Sequence, residues 1–581
     1  MSCSLHTMSE TSDASMTDVD SFTNDATRPP PLSALFLIKF DQKVGYTIAW
    51  KRSTIELELD GAVEFKSLPS GLHTVKDDLV YFIHEGYAGL SAFVNGPASE
   101  SERNAHLVAV GILVPLSYGR LGRSWLHAQS LQDLAAVLVD DVSKTEPLEQ
   151  FWEQFRSDHK QDAHNSKSNV PESSVQPSPS WRGHSRNRAL SSLTAVLPTD
   201  QSLPPLHPAL SIVKYIDTFG PLVFPLHREA LLRKRILFIA PPPVRLTCEF
   251  VYDLSILSSI PASVCDLLPC VSDSLHRLRS FFNLGIHDIS LLKKEAIPRS
   301  SPDASQGDAE PAPYGWLACT TDEILAIKKN LYDIIVEMPA TYEHPPQERR
   351  WPTIKTSQGA QIKASQRDLR RFKILHQELW KIRHGSHMAD IEPDEDTDDR
   401  TALLPHDSGN DSESEGDVGY DDKLIEPMTW SQLAYSGFMW WASAGEKDAY
   451  LSEEADRDRE MLGNLSDFVP GGIQTEGNEA DLMTASGLAS AGLHTAIIAY
   501  FHRLTSLFVS SLADLVDAAG DEDSGDVEDG LVVGSDHITR MGLDAWNESD
   551  KAFARDFLSI YFGREAEVQG ASLECCGIRI C

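Results

Sequence analysis

The chain has 581 residues, a net charge of −35 and a hydrophobic fraction of 41%. That length exceeds a single hydrophobic core and predicts about two to three folded modules. The acidic balance argues against nucleic acid as a partner, because phosphate contact needs clustered Lys and Arg.

In chain order, residues 1–31 are rich in Ser, Thr and Asp and too poor in apolar side chains to repay ordering entropy, so they read as disordered. They lack the basic start and apolar core of a signal peptide. Cys3, Cys248, Cys265, Cys270, Cys319, Cys575, Cys576 and Cys581 form no CxxC pair and no regular spacing. Neither a zinc site nor a disulfide framework is expected, and scattered thiols fit a cytoplasmic protein.

The block 32–156 opens with two β-rich runs, Ala34–Phe40 and Tyr46–Arg52, around a turn containing Gly45. This spacing predicts a hairpin. Strand-like segments continue through VEFKSLPSGLH, DLVYFIHEGYAGLSAFVNG and His106–Pro115, and helical patterns follow at Gly122–Leu138 and Pro147–Phe155. Together they predict a small α+β lobe. Residues 157–205 read as a disordered insertion.

The block 206–343 carries a helical pattern at Arg228–Lys234 and a buried-type strand, Ile236–Ala240, stopped by Pro241–Pro243. Another helix is expected at Val244–Ile260, and a second low-hydrophobicity insertion at 298–312. Gly315–Pro339 then reads as a strand closing on Ala318 and Cys319, a Thr-Thr-Asp turn, and an amphipathic helix. Thr321 or Asp322 is placed to cap that helix, which sets Ile324, Leu325, Lys328 and Leu331 at helical spacing. Alternating helix and strand predict a mostly parallel or mixed sheet covered by helices.

Residues 344–385 contain a basic amphipathic helix, Gln361–His384, with Leu369, Phe372, Leu375, Leu379 and Ile382 as its apolar stripe. Its cations are expected in solvent or against the acidic linker 386–424, which includes Ile391–Asp399. They also offer a surface for acidic lipid. Residues 425–581 read as helical at Met428–Gly445, Thr495–Asp517 and Asp544–Phe562, with a disordered insertion near 519–536. The uncharged segment Met428–Gly445 has too much Ser, Thr, Gln and Gly for a membrane span and is expected to be a buried helix.

No P-loop, HExxH, GxSxG, EF-hand or dinucleotide fingerprint occurs, so no covalent chemistry, cofactor or catalytic side chain is expected. Three segments carry a different signal. EFKSLPSGLH with DLVYF at Glu64–His73 and Asp78–Phe82, FGPLVFPLHREALLRKRIL with PPPVRLTCEFVYDLSIL within Phe219–Leu257, and ACTTDEILAIKKNLYD at Ala318–Asp333 resemble the LCHN-type branch of the DENN-domain family. The resemblance spans residues 32–385. It implies an α/β fold with a longin-like lobe at 32–156, a central DENN lobe at 206–343, a downstream helical part at 344–385 and a helical extension at 425–581.

The resemblance also implies a partner, a Rab-type small GTPase, and an activity, guanine-nucleotide exchange during vesicle traffic, with peripheral recruitment to endomembranes. An exchange factor needs no acid, base or nucleophile, only tighter binding of the nucleotide-free GTPase than of the GDP-bound form. A thousandfold acceleration corresponds to about 4 kcal/mol of such differential binding. The alternative is an adaptor that holds the GTPase without accelerating exchange. With the GTPase across both lobes, the resemblance points to Phe65, Lys66 and His73 and to Arg233, Lys234 and Arg235 as contacts. The plainer reading places Phe65 in the core and uses the basic triplet to close its helix C-terminus.

Overall fold

A computed structural model describes residues 28–157, 203–295, 315–340, 350–384, 423–463, 479–521 and 531–579, apart from 42, 98–105, 270–272, 431, 434–436, 438–445, 572–573 and 576–577. The stretches 1–31, 157–205, 298–312 and 386–424, read as disordered from the sequence, lie almost entirely outside the described residues. Most of the helix expected at Met428–Gly445 also lies outside them, and Met428 and Thr429 are not helical.

Five antiparallel strands build the N-terminal lobe: β1 (Ala34–Asp41), β2 (Gly45–Ser53), β3 (Asp77–His84), β4 (Tyr87–Gly96) and β5 (His106–Pro115). The period of two is used on both faces. Leu35, Leu37, Val108, Val110 and Ile112 point to one core, while Phe36, Ile38, Ala109 and Leu113 point to another. A short helix, α1 (Val63–Ser67), covers the second face, and α2 (Ala128–Leu138) and α3 (Glu146–Phe155) cover the first.

The central lobe follows with α4 (Ile212–Phe219), α5 (Val223–Leu231), β6 (Ile236–Ile239), α6 (Arg245–Leu257), β7 (Arg279–Asn283), α7 (Ile289–Glu295), β8 (Trp316–Thr320), α8 (Glu323–Ile327) and β9 (Ile334–Glu337). Strands β10 (Thr353–Thr356) and β11 (Gln361–Ile362) add an antiparallel edge. Strands β6 to β9 are parallel, in the order β9-β6-β8-β7. A single registered pair, Phe82↔Phe282, joins β3 to β7, so the two lobes share one 11-stranded sheet.

Three sequence expectations change here. The helix expected at Arg228–Lys234 instead occupies Val223–Leu231, one turn earlier, because Arg233 adopts a left-handed φ of 55° that no helix continues through. The helix after the Thr-Thr-Asp turn stops at Ile327, and Ile334–Glu337 becomes β9, since a β-branched Ile-Ile-Val run fits the slot beside β6. Asp322 makes no side-chain cap on α8. Its Oδ2 accepts from the backbone N–H of Ile286 at 3.2 Å instead, tying the turn after β8 to the turn after β7.

Helices α9 (Gln366–His384), α10 (Glu446–Leu462), α11 (Glu479–Asp521), α12 (Ser535–Arg540) and α13 (Glu548–Phe562) complete the described chain, with β12 (Leu531–Val533) paired to β13 (Ala566–Val568). The insertion expected near 519–536 is therefore overtaken at both ends by α11 and β12. The C-terminal helices share cores with the central lobe. Phe501 stacks on Phe224 at 5.8 Å, and Phe508, Phe553 and Phe557 pack with Leu231, Leu232 and Ile260. By length and composition Pro208–Leu231 and Gly492–Ala519 could cross a membrane, yet both are largely buried in this core.

Three arginines of α9 correct part of another expectation by pairing within the fold, while Lys373 and Lys381 are exposed to solvent as expected. Arg367 donates to Asp458 on α10 at 2.8 Å, Arg370 to Glu454 at 2.7 Å, and Arg371 to Asp458 at 3.2 Å. Arg228 on α5 reaches Asp368 at 2.7 Å and Asp550 on α13 at 3.1 Å. Burial opposes the charge on Asp458 and Asp368, but the neighbouring guanidinium groups outweigh it and hold both carboxyls below their ordinary value. Asp550, farther from Arg228 and fully enclosed, is pushed up to about 6 by burial.

Candidate functional site

The two lobes meet at the C-terminal ends of the parallel strands, the place where open α/β sheets bind ligands and partners. Two clusters of contacts make the junction. In the first, the Lys66 ammonium on α1 pairs with Asp288 at 2.7 Å and donates to the carbonyl of Ile83 at 2.8 Å. Asn283 Nδ2 at the end of β7 donates to the carbonyl of Lys66 at 3.1 Å. Half-buried Phe65 stacks on His287 with ring centroids 3.8 Å apart, and Tyr46 meets its edge at 6.4 Å. The sequence motif thus folds so that each member of Phe65-Lys66 grips the turn after β7.

In the second cluster, Asp78 at the start of β3 reaches across to the N-terminus of α6. It accepts from the N–H of Val244 at 2.6 Å and of Arg245 at 3.2 Å, and from its own neighbour Leu79 at 2.8 Å. Those helix-terminal N–H groups have no partner within the helix, so a carboxylate from the other lobe satisfies them. Burial pushes Asp78 up to about 6 against the opposing pull of these N–H groups. Gly71 holds a φ of 87°, and a Cβ there would stand 3.3 Å from the Pro242 ring. The Pro-Ser-Gly turn of one lobe therefore sits directly on the triple-proline corner of the other.

Beside the second cluster lies a groove of about 500 Å³ lined by Asp77, Asp78, Gln132, Lys214, Pro241–Pro243, Arg245 and Glu249. Arg245 pairs with Glu249 at 2.7 Å along its wall. The groove holds charges of both signs on a proline-stiffened floor. No nucleophile and base are paired in it, and among the described residues no three His, Cys, Asp or Glu side chains converge as metal ligands. Such a surface offers shape and charge of both signs to a ligand or partner.

The structure divides the residues singled out from the sequence. Phe65 and Lys66 belong to the junction, and His73 lies in the one-turn helix Leu72–Thr74 directly after Gly71. Arg233, Lys234 and Arg235 precede β6 and so sit at the opposite end of the parallel strands, roughly 13 Å away by strand rise alone. Lys66 and Arg233, read as surface contacts, are turned inward. The Arg233 guanidinium donates to the carbonyls of Ala230 at 3.1 Å, Ser258 at 3.0 Å and Leu275 at 2.9 Å. Ala230 lies in the last turn of α5, so Arg233 closes the helix as the plainer reading expected. Arg235 is bound to Asp333 at 2.6 Å, and Lys234 remains half-buried.

Sequence reasoning missed Asp78, Asn283, His287 and Asp288. Their signals are weak in isolation: an Asp opening a strand, and an Asn-Leu-Gly-Ile-His-Asp turn closing one. Only their meeting across the junction gives them a role.

The family model for DENN domain-containing protein 11 matches residues 35–348, both lobes and the junction between them. A domain of unknown function, DUF4484, matches 425–531 and 525–581. DENN domain-containing protein 11 of Xenopus laevis is 30% identical over 354 residues, covering 60% of this chain and 69% of the frog protein. Its Danio rerio counterpart is 31% identical over 305 residues, 52% of this chain and 53% of the fish protein. The uncharacterized protein ANR2 of Saccharomyces cerevisiae is 23% identical over 593 aligned residues, covering 94% of each chain. The chain belongs to the DENN domain-containing protein 11 family.

Proposed function

We propose that this protein promotes GDP release from a Rab-type small GTPase seated at the junction of its two lobes. The reading rests on membership of a DENN-domain family whose model covers residues 35–348, both lobes of the shared sheet. The chain spans about half the length of the zebrafish relative it matches, so the activity is carried over as a proposal for this chain. The junction is suited to the task on physical grounds. Exchange requires a rigid, preformed surface that fits the nucleotide-free GTPase better than the GDP-bound one. The Lys66–Asp288 pair and the Asp78 bonds to α6 fix the two lobes in one orientation, and the Phe65–His287 stack and the groove present the surface.

The contact proposed here runs through Phe65, the turn to His73 and the groove floor at Pro241–Pro243. The triplet at Arg233–Arg235 stands at the far end of the strands and contributes to folding of the lobe. The protein would work in the cytoplasm and be recruited peripherally to endomembranes.

Release of fluorescent GDP from a panel of purified Rab GTPases, with and without the full chain, tests the proposal. Acceleration for a member of the panel is expected. GTP-dependent retention of a Rab without any acceleration would instead identify an adaptor, because an exchange factor prefers the nucleotide-free form and an effector-like adaptor the GTP form.

A further inference from the structure

The central sheet has two unequal covers. One face is buried beneath α4–α6 and the C-terminal helices. Among the described residues the other carries only α7 and α8, whose Leu292 and Leu325 pack with Leu331 on Leu237, Phe281, Trp316 and Ala318. On the outside of this thin layer Ile324 is 52% and Ile327 76% exposed. Lys293 and Lys294 of α7 and Lys328 and Lys329 just beyond α8 are exposed on the same layer, unpaired among the described residues.

The carboxylates of this layer are mostly engaged elsewhere. Asp288 is held by Lys66, Glu295 by Arg279 at 2.8 Å, Asp333 by Arg235, and Asp322 accepts from Ile286. Glu323 is the exposed exception. Four lysines around two exposed isoleucines therefore form a basic, apolar face on a chain whose net charge is −35. The segment is also held in place, since Arg235 donates to the carbonyl of Asn330 at 3.3 Å. The basic helix α9, by contrast, has Arg367, Arg370 and Arg371 committed to Asp458 and Glu454.

We propose that the α7–α8 face docks on an anionic lipid bilayer, with Ile324 and Ile327 entering the headgroup boundary and the four lysines meeting lipid phosphates. Two exposed β-branched side chains supply insertion, and each lysine near an anionic surface contributes about fivefold in partitioning. The junction groove is lined by Gln132, Lys214 and Glu249 from helices on the other side of the sheet, whereas the Phe65–His287 stack lies beside the turn that leads into α7.

Flotation of the full chain with phosphatidylserine-rich vesicles, and with phosphatidylcholine vesicles, tests this directly. Binding is expected to the anionic vesicles alone, to weaken in high salt, and to fall roughly 25-fold or more in Lys328→Glu with Lys329→Glu. Ile327→Asp should also lose vesicle binding. An unchanged thermal transition in each variant, expected for exposed side chains, separates lost docking from unfolding. Equal binding to both vesicle types, or full binding by the variants, would overturn the proposal. Variants that bind vesicles normally but lose GDP release in solution would also overturn it, by assigning the face to the GTPase. Vesicle binding is read without any GTPase, so its failure and the failure of the exchange proposal are distinguishable.

Discussion

Asp78 and Phe65 show how single residues couple the lobes. Asp78 is raised to about 6 from an ordinary 3.8, so between those values the folded chain binds a proton that the unfolded chain does not. Its relative contribution to stability is full below the unfolded value and is lost as pH rises through the folded one. Asp78→Asn does not titrate. Urea unfolding of both proteins should therefore show the wild type gaining on the variant by about 1 kcal/mol between about pH 7 and pH 5. An unchanged difference would mean that the carboxylate is not held in that buried cap. Phe65→Ala removes the stack on His287 at a stability cost of about 1 kcal/mol and should slow Rab GDP release about tenfold. Exchange at the wild-type rate would move the contact away from this turn. The residues alone placed Phe65 in the core, and it was a candidate through the family resemblance of its segment. Its partner was not, because His287 reads as an ordinary turn residue until β7 is placed beside β3.

Among elements, the tightest coupling is between α9 and the C-terminal helices. Asp458→Ala would leave Arg367 and Arg371, both buried, without their shared carboxylate, and should destabilise the protein by about 3–5 kcal/mol. Arg457→Ala, which removes an exposed pair with Glu453 on the same helix, should change stability by less than about 0.5 kcal/mol. Denaturant midpoints of the two variants check both values, and comparable shifts would remove the buried cluster as the clasp. The apolar stripe of α9 was readable from its spacing, and Phe372, Leu375 and Leu379 are buried as that spacing predicts. The fate of its arginines was not readable, since Arg228 and Asp368 are 140 positions apart and Arg367 and Asp458 are 91 apart. Local charge patterning suggested the neighbouring acidic linker, whereas tertiary packing supplied carboxylates from a helix farther along the chain. The β9 strand failed for a related reason: Ile334–Glu337 extends a helix-like spacing, and only the open slot beside β6 makes it extended.

For the whole molecule, the two proposals assign the work to two surfaces, the junction groove for a GTPase and the α7–α8 face for a bilayer. If both proposals hold, GDP release measured on anionic vesicles carrying an immobilised Rab should exceed release in solution, and the excess should vanish in Lys328→Glu with Lys329→Glu. An excess that survives in that variant would uncouple the two surfaces. The amino-acid sequence by itself determined the order of lobes, the N-terminal hairpin, the buried strand before Pro241–Pro243 and the family, because alternation, proline stops and short motifs are local properties. Tertiary structure alone decided which charges are available. Lys66 finds Asp288 and the carbonyl of Ile83, and Asn283 finds the carbonyl of Lys66 from 217 positions away. Arg233, on the same ground, disappears into helix closure while Lys328 and Lys329 stay exposed. A side chain's partners depend on which strands and helices become neighbours, and that is settled by burial of the two sheet faces rather than by any spacing along the chain.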